Sequence, residues 1–523
     1  MAEQTKVLWA DDEIDILKPH IKLLEQKGIA VTAVTNGQDA VDAVAEDEFD
    51  IIFLDENMPG ISGLEALQKI KAHKGHIPVV MVTKSEEEHL MEEAIGKKIS
   101  DYLIKPVNPK QILLSIKKNV KAREIQTLQT NREYQQAFMQ LSSAIGSTET
   151  PEGWVEVYKT LMTWEENLQS ASDSGMWEIL QNQKQEANQR FGRFVMEHYE
   201  DWVAAEPADR PTLSPDLLPG RIRPLLDHEG ESLFVFVLDC WRFDHWRAFQ
   251  ERLFQRYRAV QDSWYFSILP TATQYARNSI FSGLFPIDIQ ERYPEFWVFD
   301  EQDEGKNKYE EQLLKAFFER RRIRTTPSYT KVITNEDGRR LESEYTNLLQ
   351  NRVNFVVVNF LDLMAHARSE MSLIKELAPD EAAFRSLATS WLEHSSFLSL
   401  LDKLATHENI RVVLTTDHGV LRVQRHEDIV GDRDTSTNLR YKHGRNLNYN
   451  PKARHIYTVE KPTKAGLPSS SVSGTFAFLA EDYYFVYPNN RNRYVRQFED
   501  TFQHGGISLE EMIVPYVELV PKR

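Results

Sequence analysis

At 523 residues, 41% of them hydrophobic and 27% charged, the chain is long enough for two to four domains with cores of their own. Its single cysteine, Cys240, excludes an intramolecular disulfide framework and suits a reducing compartment. A net charge of -17 argues against binding duplex DNA, because such a reader needs a basic footprint against the phosphates. The opening MAEQTKVLWADDE has no basic region followed by an apolar one, and no apolar run approaches the ~20 residues that span a bilayer, so a cytoplasmic protein is expected.

From Met1 to Lys121, five short apolar runs (KVLWA, AVTAV, DIIFLD, VVMVT, DYLIK) alternate with amphipathic segments. That alternation predicts a doubly wound parallel sheet with its site at the strand ends. Asp11, Asp12, Asp55, Thr83 and Lys105 fall at those ends. Converging carboxylates repel unless a divalent cation lies among them, and Mg²⁺ prefers one or two carboxylates with phosphate and water oxygens.

Asp11-Asp12, the string FLDENMPGISGLEAL, Thr83 and YLIKP (102–106) resemble the response-regulator receiver domain. The resemblance implies Asp55 as phosphoacceptor, Mg²⁺ on Asp12, Asp55 and the Asn57 carbonyl, with Asp11 assisting. It implies Thr83 and Lys105 on the phosphoryl oxygens, Tyr102 as the aromatic switch and a cis Lys105–Pro106 bond, an isomer proline makes accessible. Lys84 and the GKKIS stretch (96–100) depart from the family pattern and bear on the switching contacts.

Between Ala122 and about residue 206 the strand pattern stops. Tyr134, Phe138, Leu141 and Ile145, then Trp154, Tyr158, Leu161, Trp164 and Leu168, then Phe191, Val195, His198 and Trp202 recur at helical spacing. Breaks at 146–153 and 170–175 predict three helices in a connector bundle whose aromatic stripes are core. No basic recognition helix is present.

Residues 207–523 begin with a proline-rich segment and return to alternating strands and helices, a second α/β domain. RVVLTTDHG (411–419) reads as a buried parallel strand carrying Asp417 and His418 at its carboxyl end. VFVLDC with Asp239, SILPT with Thr271, VNFVVVNFLDLMAH with Asp362 and His366, and FQHGG with His504 have the same look. Seven such ligands at strand ends suggest a metal centre.

DCWRFD, PTATQYARNSIFSGLFP, NFLDLMAH, LTTDHG and HGGISLEEMIVP, in this order, resemble the alkaline phosphatase superfamily and within it the PglZ domain. The resemblance implies two Zn²⁺, one on Asp239, Thr271, Asp417 and His418 and the other on Asp362, His366 and His504. Mn²⁺ is compatible with the same ligand types. Thr271 would be the metal-activated nucleophile of a phosphodiesterase acting on nucleotidic diesters, since a threonine resembles the nucleotide phosphodiesterase branch; it also removes the sulfatases, which need Cys or Ser. Arg277, Asn278 and the basic loop with Arg440, Lys442, His443 and Arg445 are candidate substrate contacts, each set against a structural role. Cys240 reads as a packing residue.

The whole arrangement resembles a response regulator associated with type IX protein secretion. That implies a sensor histidine kinase as phosphodonor, secretion-system or sigma-factor partners, and a homodimer formed on phosphorylation through the fourth and fifth receiver helices and fifth strand. The competing reading is a metal-stabilised docking module with little catalysis.

Overall fold

The computed structural model describes residues 4–83, 99–171, 174–299, 306–370, 378, 380–432, 435–468 and 474–522. Lys84, residues 96–98 and the expected fourth receiver helix lie outside them. The chain divides into two compact units, residues 1–143 with 160–182, and 144–159 with 183–523.

In the first unit, β1 (Lys6–Ala10), β2 (Ala30–Val34), β3 (Ile51–Asp55), β4 (Val79–Thr83) and β5 (Asp101–Ile104) form a parallel sheet of order β2-β1-β3-β4-β5. The central strand explains the unbroken run IIFLD: Ile52 and Leu54 pack on one face with Leu67 and Ile70, Ile51 and Phe53 on the other with Trp9 and Ile112. Helices α1 (Lys18–Gln26), α2 (Gly37–Glu46) and α3 (Gly63–His73) supply those layers. The Lys105–Pro106 bond is cis.

The next helix, α4, runs from Pro109 to Ser147 without interruption. The boundary expected at 121/122 therefore falls inside a helix, because no glycine or proline stands between Pro109 and Gly146 to end it. Helices α5 (Pro151–Ala171) and α6 (Ser174–Ala204) follow the expected breaks. Their aromatic stripes do not make a free-standing bundle. Tyr134 meets Trp164 at 5.3 Å in the first unit. In the second, Phe191 lies 5.6 Å from Trp154, while Phe191 and Trp202 pack on Phe266 at 6.2 and 5.6 Å, and Tyr158 on Phe243 at 6.3 Å. Half of the stripe is thus the cover of the C-terminal sheet.

That sheet holds β6 (Ser232–Leu238), β7 (Tyr257–Phe266), β8 (Ser328–Val332), β9 (Val353–Val358), β10 (Ile410–Thr415) and β11 (Ile513–Pro521), ordered β7-β11-β10-β6-β9-β8. β10, β6, β9 and β8 are parallel, whereas β11 runs antiparallel between β10 and β7. Helices α7 (Phe243–Leu253), α8 (Thr273–Ser282), α9 (Glu310–Arg320) and α10 (Phe360–Glu370) leave or flank the strands. Strand pairing of β7 ends at Phe266 opposite Ile513, so Ser267 to Thr271 is a loop and not the strand end that the sequence suggested. The excursion between His418 and His504 folds as two three-stranded sheets and a two-stranded one, with Ile429, Ala477, Leu479 and Phe485 forming a small core.

Candidate active site

Three strand ends and a loop build the acceptor site of the first unit. Asp11 is fully buried after β1, Asp55 closes β3 at 2% exposure, and Thr83 closes β4. Lys105 Nζ bridges the two acids, 2.9 Å from Asp11 Oδ2 and 2.8 Å from Asp55 Oδ2. Burial raises the Asp55 carboxyl above its ordinary value, against the lowering effect of Lys105. Burial alone would lower the Lys105 ammonium, but its bonds to Asp55 and Asp11 outweigh it and the net shift is upward. Oxygens of Asp11, Asp12 and Asp55 lie within 4.8 Å of one another, a set that could hold a cation. Asp12 and Asn57 are exposed, and Tyr102 is 36% exposed on β5.

In the second unit, the carboxyl ends of β6, β9 and β10 bring the predicted ligands together, as parallel α/β sheets do with their sites. Asp239 follows β6, Asp417 and His418 follow β10, Asp362 and His366 occupy α10, and His504 follows a two-residue strand. His418 Nε2 lies 3.8 Å from both Asp239 Oδ1 and Asp417 Oδ2. Asp362 Oδ1 lies 3.3 Å from His366 Nε2 and 3.6 Å from His504 Nε2. Donors about 2.0–2.2 Å from one tetrahedral ion are separated by about 3.3–3.6 Å, so both groups are near coordination spacing.

The burial of these groups makes the same point. Asp239, Asp417 and His418 are fully buried, and Asp239 Oδ1 and Asp417 Oδ2 have no hydrogen-bond partner. Bare buried carboxylate oxygens are costly without a cation. Burial pushes the Asp239 carboxyl up to about 8 and raises Asp417, while it lowers His418 and pushes His504 down to about 3. The histidines are therefore neutral, the form that ligates metal. Burial would raise Asp362 too, yet the hydrogen bond and charge of His366 hold it well below the usual carboxylate range.

The two threonines of PTAT have different surroundings. Thr271 is fully buried; its hydroxyl donates to the Gly506 carbonyl at 2.8 Å and accepts the Gly505 N–H at 3.0 Å. Its own carbonyl stands 3.2 Å from His504 Nδ1, which as donor leaves Nε2 facing Asp362. Thr273, half-buried at the first turn of α8, has its hydroxyl 3.1 Å from His418 Nε2. Sequence reasoning passed over Thr273. The signal was its place at a helix start, where backbone N–H groups favour an anion. Cys240 was read as packing, and it is buried; its Sγ also donates to Asp362 Oδ1 at 3.3 Å and lies 3.8 Å from His418 Nδ1, with the backbone at φ 64°.

Three family models match the chain. They are the response regulator receiver domain over residues 7–117, the PorX response regulator linker domain over 124–203, and the BREX system PglZ alkaline phosphatase-like domain over 217–519. The last match covers more than half of the sequence. The chain belongs to the PglZ family. With the receiver and linker in front, its order is that of a PorX-like response regulator, a two-component regulator.

Curated relatives resemble part of the chain. The transcriptional regulatory protein ResD of Bacillus subtilis is 32% identical over 114 residues, 22% of this chain and 47% of the relative. The response regulator SaeR of Staphylococcus aureus is 33% identical over 112 residues, 21% of this chain and 49% of the relative. The chain spans about half the length of the curated relatives it matches. Among solved structures, response regulator receiver domain proteins from Methanospirillum hungatei (CheY-like) and Clostridium thermocellum are each 26% identical with TM-score 0.22, covering 23% of this chain and 98% of theirs. Receivers phosphorylated by sensor kinases use Mg²⁺, and alkaline phosphatase-like domains use metal ions. Among the described residues no helix is long and apolar enough to cross a membrane.

Within the PglZ domain, the basic residues proposed as substrate contacts are committed elsewhere. Arg277, 1% exposed, donates to Asp239 Oδ2 at 2.8 Å and Glu310 Oε1 at 2.7 Å, and stands 3.6 Å from Asp417 Oδ2. It is not a surface residue, and its guanidinium is the counter-charge beside Asp239, Glu310 and Asp417. Asn278 is buried, its Nδ2 donating to the Lys306 carbonyl at 3.3 Å. Arg440 is fully buried in a bidentate pair with Glu511 at 3.1 and 2.7 Å, and Glu511 Oε1 also accepts the Gly506 N–H at 2.9 Å. Lys442 and His443 are buried, the latter stacked on Phe476 at 4.2 Å, and Arg445 lies 3.6 Å from Asp432. The expected phosphate clamp is corrected: the excursion packs as sheets, Arg440, Lys442 and His443 are turned inward, and Arg445, the exposed one of the four, faces Asp432.

Proposed function

We propose that phosphorylation of Asp55 by a sensor histidine kinase controls a zinc-dependent phosphodiesterase in the PglZ domain, acting on nucleotidic diesters. The observation that carries this reading is the Thr273 hydroxyl 3.1 Å from His418 Nε2, beside unpartnered buried oxygens of Asp239 and Asp417. A fully buried Thr271 hydroxyl with both its hydrogen-bonding directions taken cannot reach a substrate; a half-buried Thr273 can. The nucleophile assigned here is therefore Thr273, and Thr271 becomes a positioning residue for His504.

Asp239, Asp417 and His418 would hold one Zn²⁺, and Asp362, His366 and His504 the other. When bound, the ions supply Lewis-acid stabilisation of charge on the phosphoryl oxygens and favour loss of the hydroxyl proton. Thr273 Oγ1 attacks phosphorus, the bond to the leaving alcohol breaks, and water then hydrolyses the phosphothreonine, returning the hydroxyl and releasing a monoester. Arg277 holds Asp239 in place. Substrate enters from the side of Thr273 and His366, the latter half exposed, since Asp239, Asp417 and His418 are sealed. With Arg277 and Arg440 engaged, little free positive charge is left at the cluster, which favours a diester over a monoester dianion.

In the receiver, Mg²⁺ would sit on Asp12, Asp55 and the Asn57 carbonyl with Asp11 assisting, Lys105 and Thr83 would take the phosphoryl oxygens, and Tyr102 would report the state. Phosphorylation would favour a homodimer, and the PorX linker supports a place in type IX secretion, with secretion-system or sigma-factor partners.

The test is hydrolysis of bis-(p-nitrophenyl) phosphate beside p-nitrophenyl phosphate, with zinc content measured in every protein. Thr273→Ala should lose several orders of magnitude in rate with zinc retained, as nucleophile deletions do. Full activity of zinc-loaded Thr273→Ala removes the residue from the mechanism, and faster monoester cleavage reverses the substrate.

A further inference from the structure

A cleft of about 680 Å³ in the second unit shares no lining residue with the metal cluster. Three of its residues are arginines, Arg221, Arg223 and Arg321, in a chain of net charge -17. Its size falls within the range of small-molecule sites.

Arg221 is the anchor. Its Nη1 donates to Ser263 Oγ at 3.0 Å, its Nη2 to Thr212 Oγ1 at 2.9 Å, and its guanidinium lies 5.3 Å from the Tyr516 ring. Those contacts fix the plane of the group without neutralising it: no carboxylate lies within ion-pair distance among the described residues. Burial accordingly lowers its pKa. Asp216 lines the same cleft, but Arg210 takes its oxygens at 2.7 and 3.2 Å and the Leu213 N–H takes Oδ2 at 3.0 Å. Arg223 and Arg321 are exposed; Arg223 reaches Asp227 at 3.2 Å, and Arg321 has no carboxylate partner among the described residues. Arg221 stands on a π-helical turn, Leu218–Ile222, a form that recurs at functional sites.

A part-buried, uncompensated guanidinium, pre-oriented and joined by two exposed ones, matches the planar, multidentate recognition that arginine gives phosphate. We propose that this cleft binds an oligophosphate group, distinct from any substrate of the metal cluster. Phe317 and Pro219 supply an apolar wall beside the arginines, suited to a nucleobase. The same two residues close over Gly283, the left-handed cap of α8, where an added Cβ would come within 2.9 Å of Phe317 and 3.3 Å of Pro219. The other end of α8 carries Thr273, so an occupant would press on the helix that places the hydroxyl.

The experiment is calorimetric titration of full-length, zinc-loaded protein with tripolyphosphate and, separately, ATP. Wild type should bind at least one probe, and Arg321→Ala and Arg221→Lys should each weaken that binding about tenfold or more. Arg321 is exposed, so its variant keeps the fold whatever Arg221→Lys does. ATP binding tighter than tripolyphosphate identifies a nucleotide as the natural class, and equal binding identifies the phosphate chain alone. Equal affinity in wild type and Arg321→Ala and Arg221→Lys assigns the binding to the metal cluster and overturns the proposal, as does no binding by wild type. The readout is independent of whether the cluster hydrolyses diesters.

Discussion

Lys442 donates from Nζ to the Ser436 carbonyl at 2.9 Å and lies 4.8 Å from the Tyr487 ring centroid, 1% exposed. Burial pushes its ammonium down to about 7 from 10.5. Between those values the unfolded chain binds the extra proton and the folded chain does not, so stability rises with pH there by at most ~1.4 kcal/mol per unit. Below about 7 both states hold the proton and the destabilisation is complete. Lys442→Met should therefore raise stability at pH 7, with the gain shrinking towards pH 10.5, measured by denaturant titration across that window. An equal gain at both ends would mean that packing and not charge is responsible. Thr271 invites a parallel comparison. Thr271→Val keeps volume and carbonyl but removes the hydroxyl that ties Gly505 and Gly506, and should weaken zinc retention against a chelator by about 10–100-fold, as outer-shell losses do. Thr271→Ser should restore most of it.

At the scale of elements, the turn after β10 has no spare room. A Cβ on Gly419 would lie 1.9 Å from the Glu510 carbonyl oxygen, at a place where Gly419 N–H donates to the Glu511 carbonyl. Gly419→Ala should cost more than ~2 kcal/mol and displace His418, seen as lower melting temperature together with lost zinc. The strand-end ligands were readable in sequence because parallel strands buried on both faces leave long apolar runs, and the first polar residue after such a run marks its carboxyl end. That logic placed Asp239, Asp417 and His418 just past strand ends, while Asp362 stands one step further on, in the first turn of α10. It stopped at Thr271 and passed over Thr273 because nothing in SILPT shows where pairing with β11 stops, a partner some 250 residues away. The basic loop failed for a related reason: the carboxylate that buries Arg440 is Glu511, 71 residues on, and local composition carries no trace of it. Likewise the 3.6-residue aromatic stripes gave the connector helices, yet helical period does not say whether Phe191 and Trp202 face helices or Phe266.

For the whole molecule, the two compact units should report their ions separately in calorimetry. Zinc at 100 times its dissociation constant stabilises the state that binds it by ~2.7 kcal/mol, so chelation should lower the transition of the larger unit and leave the receiver's where it was. A single transition insensitive to chelator would count against the cluster as a zinc site. Beryllium fluoride with Mg²⁺ should raise the mass by light scattering in wild type and not in Asp55→Asn. A complete reversal from 1:99 to 99:1 needs ~5.5 kcal/mol of differential binding, so a partial shift is expected.

β11 is threaded between β7 and β10 and is made after both. While a ribosome is still translating the residues before Ile513, β7 and one edge of β10 lack the strand that will pair with them, and such edges are where nascent chains pair wrongly. Contacts so distant in sequence form slowly. His504 arrives in the same late stretch, so neither the sheet nor the second ligand group can be completed until almost the whole described chain has emerged. Partial translation products that stop short of this stretch keep a receiver domain but lack the finished sheet and second ligand group of the PglZ domain.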